Sequence, residues 1–376
     1  MKILHIYKDY YPIKGGIENM LKWVAEAQAE LGHDVTVLVA SLNRQEQIDM
    51  QQGVRVHKVP RLATVASTPI TPTLPFAIRR YKPDIAHVHS PYPPGELFNY
   101  LFGRAKFSVM TYHSDVVRQQ TLLKFYKPLF KRVLNRIDVI MPTSANYIES
   151  SSFIRSHKHK CRVVPLGIDL CRFDTPPSAL AQTLKEIHGS PLVLFVGRLR
   201  YYKGIDTLID AMSHVNKGKA LIVGDGPLRA ELEAHVNRLN LSGHVHFAGD
   251  VSNDDLPAYF QAADCFVLPS NSRAEAFGIV LLEAMASGLP CISTELETGT
   301  SWVVQDGITG FVVPPQNSSE LAQAINTMLG DNVLRRKMAQ ASLKRVHANF
   351  SKEKMVNNIM QIYEELLKGV YYAKKN

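Results

Sequence analysis

Short runs of aliphatic and β-branched residues recur along the whole chain, separated by stretches with helical spacing. In the first half they fall at 2–7, 34–40, 54–59, 85–89, 108–112, 139–142 and 162–165. In the second half they fall at 192–196, 220–223, 245–248, 265–268, 291–293 and 311–313. Runs without polar alternation belong to strands covered on both faces. Their alternation with helices predicts parallel strands joined by crossover helices. Two such series predict an α/β chain with two doubly wound, Rossmann-like parallel sheets. The 376 residues suit two domains of ordinary size. We expect a first domain at 1–168, a linker at 169–190, a second domain at 191–355 and a terminal helix at 356–376. The linker is placed there because Asp174-Thr175-Pro176-Pro177-Ser178 carries adjacent prolines, which continue neither a helix nor a central strand.

Composition narrows the function classes. Hydrophobic residues make up 45% and charged residues 20%, enough for two real cores. There is no run of about eighteen apolar residues, so no transmembrane helix is expected. The start, Met1-Lys2-Ile3-Leu4-His5-Ile6-Tyr7, reads as a first strand rather than a signal peptide. Cys161, Cys171, Cys265 and Cys291 form no C-x-x-C pair, which suits a reducing compartment. A formal charge of +9 leaves three partners open: nucleic acid, an anionic membrane surface, or an anionic small substrate. Neither half carries G-x-G-x-x-G, which disfavours a nicotinamide or flavin site.

The segment Glu275-Ala-Phe-Gly-Ile-Val-Leu-Leu-Glu283 carries the chemistry. It continues as Ala284-Met285-Ala286-Ser287-Gly288-Leu289-Pro290. We expect a helix from Phe277 or Gly278 to Gly288, where a residue without Cβ takes the left-handed C-terminal position. Glu283 falls mid-helix among Leu281, Leu282, Ala284 and Met285, where a carboxylate is costly without a partner. Glu275 falls before the helix, beside free N–H groups and the positive dipole end that suits phosphate. An anionic ligand with hydroxyl groups fits both. The plain alternative is a pair of ordinary helix carboxylates.

E-x-F-G-x-x-x-x-E followed by A-M-A-x-G is similar to the signature of the family 4 retaining glycosyltransferases of GT-B fold. Further segments resemble that family in the same order over nearly the whole chain. Val196-Gly197-Arg198-Leu199 with Lys203-Gly204 looks like its diphosphate site, Arg198 offering a bidentate contact and Lys203 a point charge. Val223-Gly224-Asp225-Gly226-Pro227 resembles its G-x-G-P turn, which a purely structural turn also explains. Gly15-Gly16-Ile17-Glu18 resembles its G-G-x-E loop near donor phosphate and acceptor. Val251, past the run at 245–248, lies where the family places the nucleotide base.

The resemblance implies a GT-B pair of domains facing a cleft. It implies a nucleoside-diphosphate hexose donor, GDP-mannose or a UDP-hexose, and a glycan or lipid-linked acceptor. Arg198 and Lys203 would hold the diphosphate, Glu283 the ribose and Glu275 the sugar hydroxyls. Phe277, Gly278 and Ile279 would offer backbone, and His113 would touch the sugar. Neither a cofactor nor a metal is implied, and the terminal helix would return to the first domain.

Other polar residues have plainer readings. His113 lies just past a strand in Thr111-Tyr112-His113-Ser114-Asp115, at the end where open sheets bind ligands. His87 and His89 are expected on opposite faces of their strand, and a zinc site at His89 and His113 lacks a third ligand. Asp254-Asp255 reads as the N-cap of a helix at 256–261. The segment 116–137, bounded by Val116 and Ile137, holds six cations, no acid and many interleaved apolar residues. It suits a peripheral helix on an anionic membrane, on the cytoplasmic side, or a solvated basic face. Pro128 is expected to split it in two. Two rival functions are a nucleotide-sugar epimerase of the same fold and a basic nucleic-acid-binding protein. The latter is disfavoured because the aromatics lie in apolar runs.

Overall fold

The computed structural model describes residues 1–13, 15–65, 67–115, 120–176 and 178–369. The chain divides into two compact units, Met1–Leu166 with Lys352–Asn376, and Gly167–Ser351.

The first unit contains strands β1 (Lys2–Ile6), β2 (Asp34–Ala40), β3 (Gln47–Gln51), β4 (Val54–Val59), β5 (Ala63–Val65), β6 (Thr68–Ile70), β7 (Ile85–Ser90), β8 (Phe107–Tyr112) and β9 (Val139–Pro142). Its helices are α1 (Gly16–Glu30), α2 (Leu74–Arg80), α3 (Pro93–Phe102), α4 (Gln120–Arg136) and α5 (Ala145–Ser150), with the last described helix, α14 (Lys352–Leu367). The sheet order is β3-β4-β2-β1-β7-β8-β9. All pairs are parallel except β3–β4, an antiparallel edge that the apolar runs did not announce. The reason is exposure: Gln47–Gln51 buries almost nothing, so it carries no hydrophobic signal. The short β5–β6 hairpin escaped for the same reason.

The second unit contains α6 (Ala179–His188), β10 (Leu192–Val196), α7 (Ile205–Met212), β11 (Lys219–Val223), α8 (Arg229–Arg238), β12 (Val245–Gly249), α9 (Leu256–Ala262), β13 (Cys265–Leu268), α10 (Ile279–Ala286), β14 (Cys291–Thr294), α11 (Thr300–Val303), β15 (Gly310–Val313), α12 (Ser318–Gly330) and α13 (Asn332–Asn349). Its sheet order is β12-β11-β10-β13-β14-β15, parallel throughout. The order reverses between β10 and β13, and in the first unit between β1 and β7. Such switch points are where open α/β sheets open a crevice at their strand C-termini.

Several expectations need correction. Residues 162–165 form no strand; they run beside β9 through Arg162 N to Ile140 O (2.9 Å) and Val164 N to Pro142 O (3.0 Å). The segment 169–190 is not a free linker. Ser178 caps α6, accepting from Ala181 N, and Ala181 and Leu184 are buried in the second unit. Pro177 lies outside the described residues. The terminal helix begins at Lys352 rather than 356 and groups with the first unit. Its Tyr363 hydroxyl meets His87 Nδ1 at 2.6 Å.

Asp255 is the N-cap of α9, as expected, but its side chain makes no bond to the helix's free N–H groups; it pairs with Ser252 instead. The Ser252 hydroxyl accepts from Asp255 N at 3.0 Å and donates to the Asp255 carboxylate at 2.7 Å. Helix α4 runs unbroken past Pro128, which lies on the exposed side. Phe130, Val133 and Leu134 are buried while Lys127, Lys131, Arg132 and Arg136 are exposed. Residues 116–119 of that segment, and the side chains of 120–125, lie outside the described residues.

Candidate active site

In the second unit the loops after β10 and β13 meet at the switch point. Tyr202 O accepts from Asn271 N at 2.9 Å, and Tyr201 O from Asn271 Nδ2 at 3.0 Å. Gly204 is left-handed (φ 65°), and a Cβ there would lie 2.0 Å from Pro269 O, so only glycine lets the loops close. Closure brings Lys203 to Glu275: Nζ and Oε2 are 2.7 Å apart, and both side chains are about nine-tenths covered. Ser270 Oγ donates to the same oxygen at 3.1 Å. Burial, the largest single influence, would lower the Lys203 pKa, but Glu275, Tyr202 and Glu283 together outweigh it and hold the ammonium above its usual value. The sequence spacing of Glu275 and Lys203, 72 positions apart, hid this contact; only the strand order joins them.

The loop after β14 braces Glu275. Thr298 Oγ1 donates to Glu275 O at 2.9 Å, and Gly299 N to Ala276 O at 2.9 Å. Phe277 is buried, and Gly278 is left-handed (φ 75°, ψ 58°) just before α10. Ile279 opens that helix, whose first N–H groups have no intrahelical acceptor. Gly288, also left-handed, ends it, with Leu289 N donating to Ala284 O at 3.0 Å.

Glu283 is half-exposed at the surface, yet protein crowds it enough that burial pushes its carboxyl up to about 7. Arg172 and Lys203 pull in the opposite direction. No described residue hydrogen-bonds its side chain. Arg172, which the sequence reading missed, follows Gly167–Leu170 and bonds Asn253 O. Arg198 is exposed and has no ion pair or hydrogen bond among the described residues.

Gly224 has φ 119°, and a Cβ there would lie 2.2 Å from Gly197 O. It is therefore required for packing one loop on another, whatever a ligand does. Val251 is half-buried past β12 and makes no polar side-chain contact.

In the first unit Gly15 caps α1 and Gly16 begins it. A Cβ on Gly15 would lie 2.1 Å from Glu18 Oε2, so the glycine makes room for that buried carboxylate, whose pKa burial raises. Lys14 lies outside the described residues. His113 is buried past β8, and burial lowers its pKa to about 3. His89 Nδ1 is 3.3 Å from its Nε2, while the Nδ1 of His113 has no partner among the described residues. His87 and His89 share one face rather than two. Their rings stack at 4.2 Å, because residues two apart in a strand point the same way.

Two doubly wound parallel sheets in one chain, with cations and carboxylates gathered at a switch point, define the GT-B architecture. The family model "Glycosyltransferase Family 4" matches residues 14–172, and "Glycosyl transferases group 1" matches 179–345. The chain is 38% identical over 328 residues to D-rhamnosyltransferase WbpZ of Pseudomonas aeruginosa, covering 86% of each. It is 33% identical over 375 residues to O-antigen chain mannosyltransferase C of Escherichia coli, covering 98% of this chain and 100% of that one. The structure of sucrose-phosphate synthase from Thermosynechococcus elongatus is similar, with TM-score 0.78 and 26% identity over 98% of this chain and 99% of that one. The chain belongs to the family 4 glycosyltransferases.

Proposed function

We propose that the chain transfers mannose or a 6-deoxymannose from a nucleoside diphosphate, GDP or UDP, to a glycan or lipid-linked acceptor, retaining the anomeric configuration. The observation that carries this reading is the Lys203–Glu275 pair (2.7 Å), with Glu283 close enough to Lys203 to feel its charge. The manno preference is supported by the names of the two relatives, a D-rhamnosyl- and a mannosyltransferase. D-rhamnose is 6-deoxymannose.

Arg198 and Lys203 take the diphosphate, with the N-terminal N–H groups of α10 adding to them. The acceptor oxygen bonds to C1 on the face that the diphosphate leaves. The C1–O bond breaks with its electron pair on the phosphate, and the acceptor proton passes to a phosphate oxygen. Charge grows on the leaving group, and the two cations stabilise it in place of a metal ion. Glu283 accepts from the ribose hydroxyls and Glu275 from the sugar, while Phe277, Gly278 and Ile279 lend backbone. The four free cysteines suit the cytoplasmic side. No described helix is long and apolar enough to cross a membrane, and we place any membrane contact in the cations of α4.

Calorimetry separates the two carboxylates. Glu283→Gln should weaken both the donor and the free nucleoside diphosphate by about 1.5–3 kcal/mol, the loss of a charge-assisted bond. Glu275→Gln should not weaken the sugar-free ligand, because it also releases Lys203; its damage belongs in turnover. Equal weakening of the free diphosphate would sink this division. Transfer abolished by chelator and restored by metal would sink the charge assignment.

A further inference from the structure

Four buried side chains of the first unit form a line that ends at His113, and three of them have no part in the chemistry described so far. Gln28 Oε1 lies 2.7 Å from His5 Nε2. His5 Nδ1 lies 3.1 Å from His89 Nε2, and His89 Nδ1 lies 3.3 Å from His113 Nε2. The line ends at His113 Nδ1, buried and without a partner among the described residues. Exposure is 0% for Gln28, His5 and His89 and 3% for His113.

This geometry fixes protons. With the Gln28 amide oxygen turned to His5 and its nitrogen left buried without a partner among the described residues, that oxygen only accepts, so His5 carries its hydrogen on Nε2. Burial keeps the rings neutral, lowering His5 to about 4, His89 well below its ordinary value and His113 to about 3. A neutral imidazole has one N–H and one bare nitrogen. Bare His5 Nδ1 therefore takes the Nε2–H of His89. Bare His89 Nδ1 takes the Nε2–H of His113. The last ring is left with a lone pair at Nδ1, at the C-terminal end of β8, where parallel sheets bind ligands.

A metal ion is the competing use, since ligand atoms of His5, His87 and His89 lie within 4.8 Å of one another. The ring planes argue against it. His87 and His89 stack at 26°, so their in-plane lone pairs run alongside each other rather than converging. The His87 nitrogens are engaged as well, by Thr111 Oγ1 and the Tyr363 hydroxyl, each at 2.6 Å.

We propose that Gln28, His5 and His89 are positioning residues that hold His113 as an obligate hydrogen-bond acceptor, so that its ligand must present a sugar hydroxyl there. The proposal rests on the sugar-transferase reading for the identity of that ligand. A substrate lacking the hydroxyl leaves the buried lone pair unpaired, and a fluorine in its place cannot donate.

The test is in two parts. Long-range proton–nitrogen spectra of the full chain with labelled histidines read each ring's tautomer without any turnover. We expect His113 protonated on Nε2 in the wild type, and a mixture or reversal in Gln28→Met and in His5→Phe. A wild-type His113 protonated on Nδ1 overturns the proposal. So does a tautomer indifferent to both substitutions in folded protein. The second part compares kcat/KM for GDP-mannose and its singly deoxygenated and deoxyfluoro analogues, and for acceptors altered in the same way. One position should cost the wild type about tenfold, the size of one hydrogen bond. Gln28→Met should shrink that penalty; a merely structural role would lower all substrates alike. A penalty in the acceptor series assigns the hydroxyl to the acceptor, and one in the donor series to the donor. No position-dependent penalty in either overturns the proposal. Absence of all transfer beside the expected tautomer would instead overturn the transferase reading.

Discussion

The two sheets treat polarity in opposite ways. In the second unit β10 and β13 bury only apolar residues, β14 adds the hydroxyls of Ser293 and Thr294, and the candidate site residues, apart from Ile279 and Glu283 of α10, sit in loops at strand ends. In the first unit the strands themselves carry His5, His87, His89 and Thr111 under the cover of the sheet. A loop at a crevice can leave charge for a ligand to satisfy. A strand interior must satisfy its polar groups from within, so its histidines bond one another. On the proposed reading, the second unit places charge where a ligand arrives, while the first uses neutral groups to fix orientation.

The largest test of that contrast removes one member of each arrangement. Lys203→Ala leaves Glu275 buried without its cation and should destabilise the fold by about 3–5 kcal/mol. His5→Phe breaks a neutral line and should cost about 1–3 kcal/mol, because it strands the Gln28 carbonyl oxygen and His89 Nε2. Urea unfolding measures both. Lys203→Met combined with Glu275→Gln should restore most of the stability but not diphosphate binding. Equal costs for the charged and neutral substitutions would break the contrast.

The same contrast explains what the sequence made legible. Buried parallel strands announce themselves by unbroken apolar runs, and β2, β4, β9, β10 and β13 fall on the expected residues. Edge strand β3 buries too little to do so. The loop site was legible because Glu275, Phe277, Gly278 and Glu283 lie in one contiguous segment. The Lys203–Glu275 ion pair was not, since strand order rather than spacing creates it. The histidine line was least legible. Its members lie at positions 5, 28, 89 and 113, and the shared face of His87 and His89 follows from the two-residue strand period that the expectation misapplied.

A smaller effect separates charge that waits for a ligand from groups kept neutral. Burial raises Glu283 from 4.5 to about 7. A raised folded-state pKa means that its stabilising contribution is present below about 4.5 and is lost as pH rises through about 7. Binding runs the other way, because ribose hydroxyls donate to the ionised carboxylate. Nucleoside diphosphate should therefore bind about tenfold more tightly at about pH 8 than at about pH 6, after the phosphate's own ionisation is allowed for. Glu283→Gln supplies that correction, since it keeps the phosphate and removes the carboxylate. Identical pH profiles for the two proteins would refute the assignment of ribose to Glu283.

The smallest effect concerns the outer face of the first unit. On α4 the apolar side chains Phe130, Val133 and Leu134 are already buried, and Lys127, Lys131 and Arg132 face outward. Such a helix has no apolar face left to insert along these turns, so attraction to a bilayer must come from charge. Each cation near an anionic surface contributes about 1 kcal/mol, and salt screens it. Vesicles rich in phosphatidylserine should bind the protein at low ionic strength and release it as salt rises. Changing Lys127, Lys131 and Arg132 to Ser should remove that binding while moving unfolding stability by no more than about 0.5 kcal/mol per site. The control lies in the second unit: Arg336 and Lys337 are also exposed, on α13, and their replacement should leave vesicle binding intact. Binding that survives high salt would mean insertion and would contradict the docked helix. Equal losses from both sets would mean that net charge, not the α4 face, attracts the membrane.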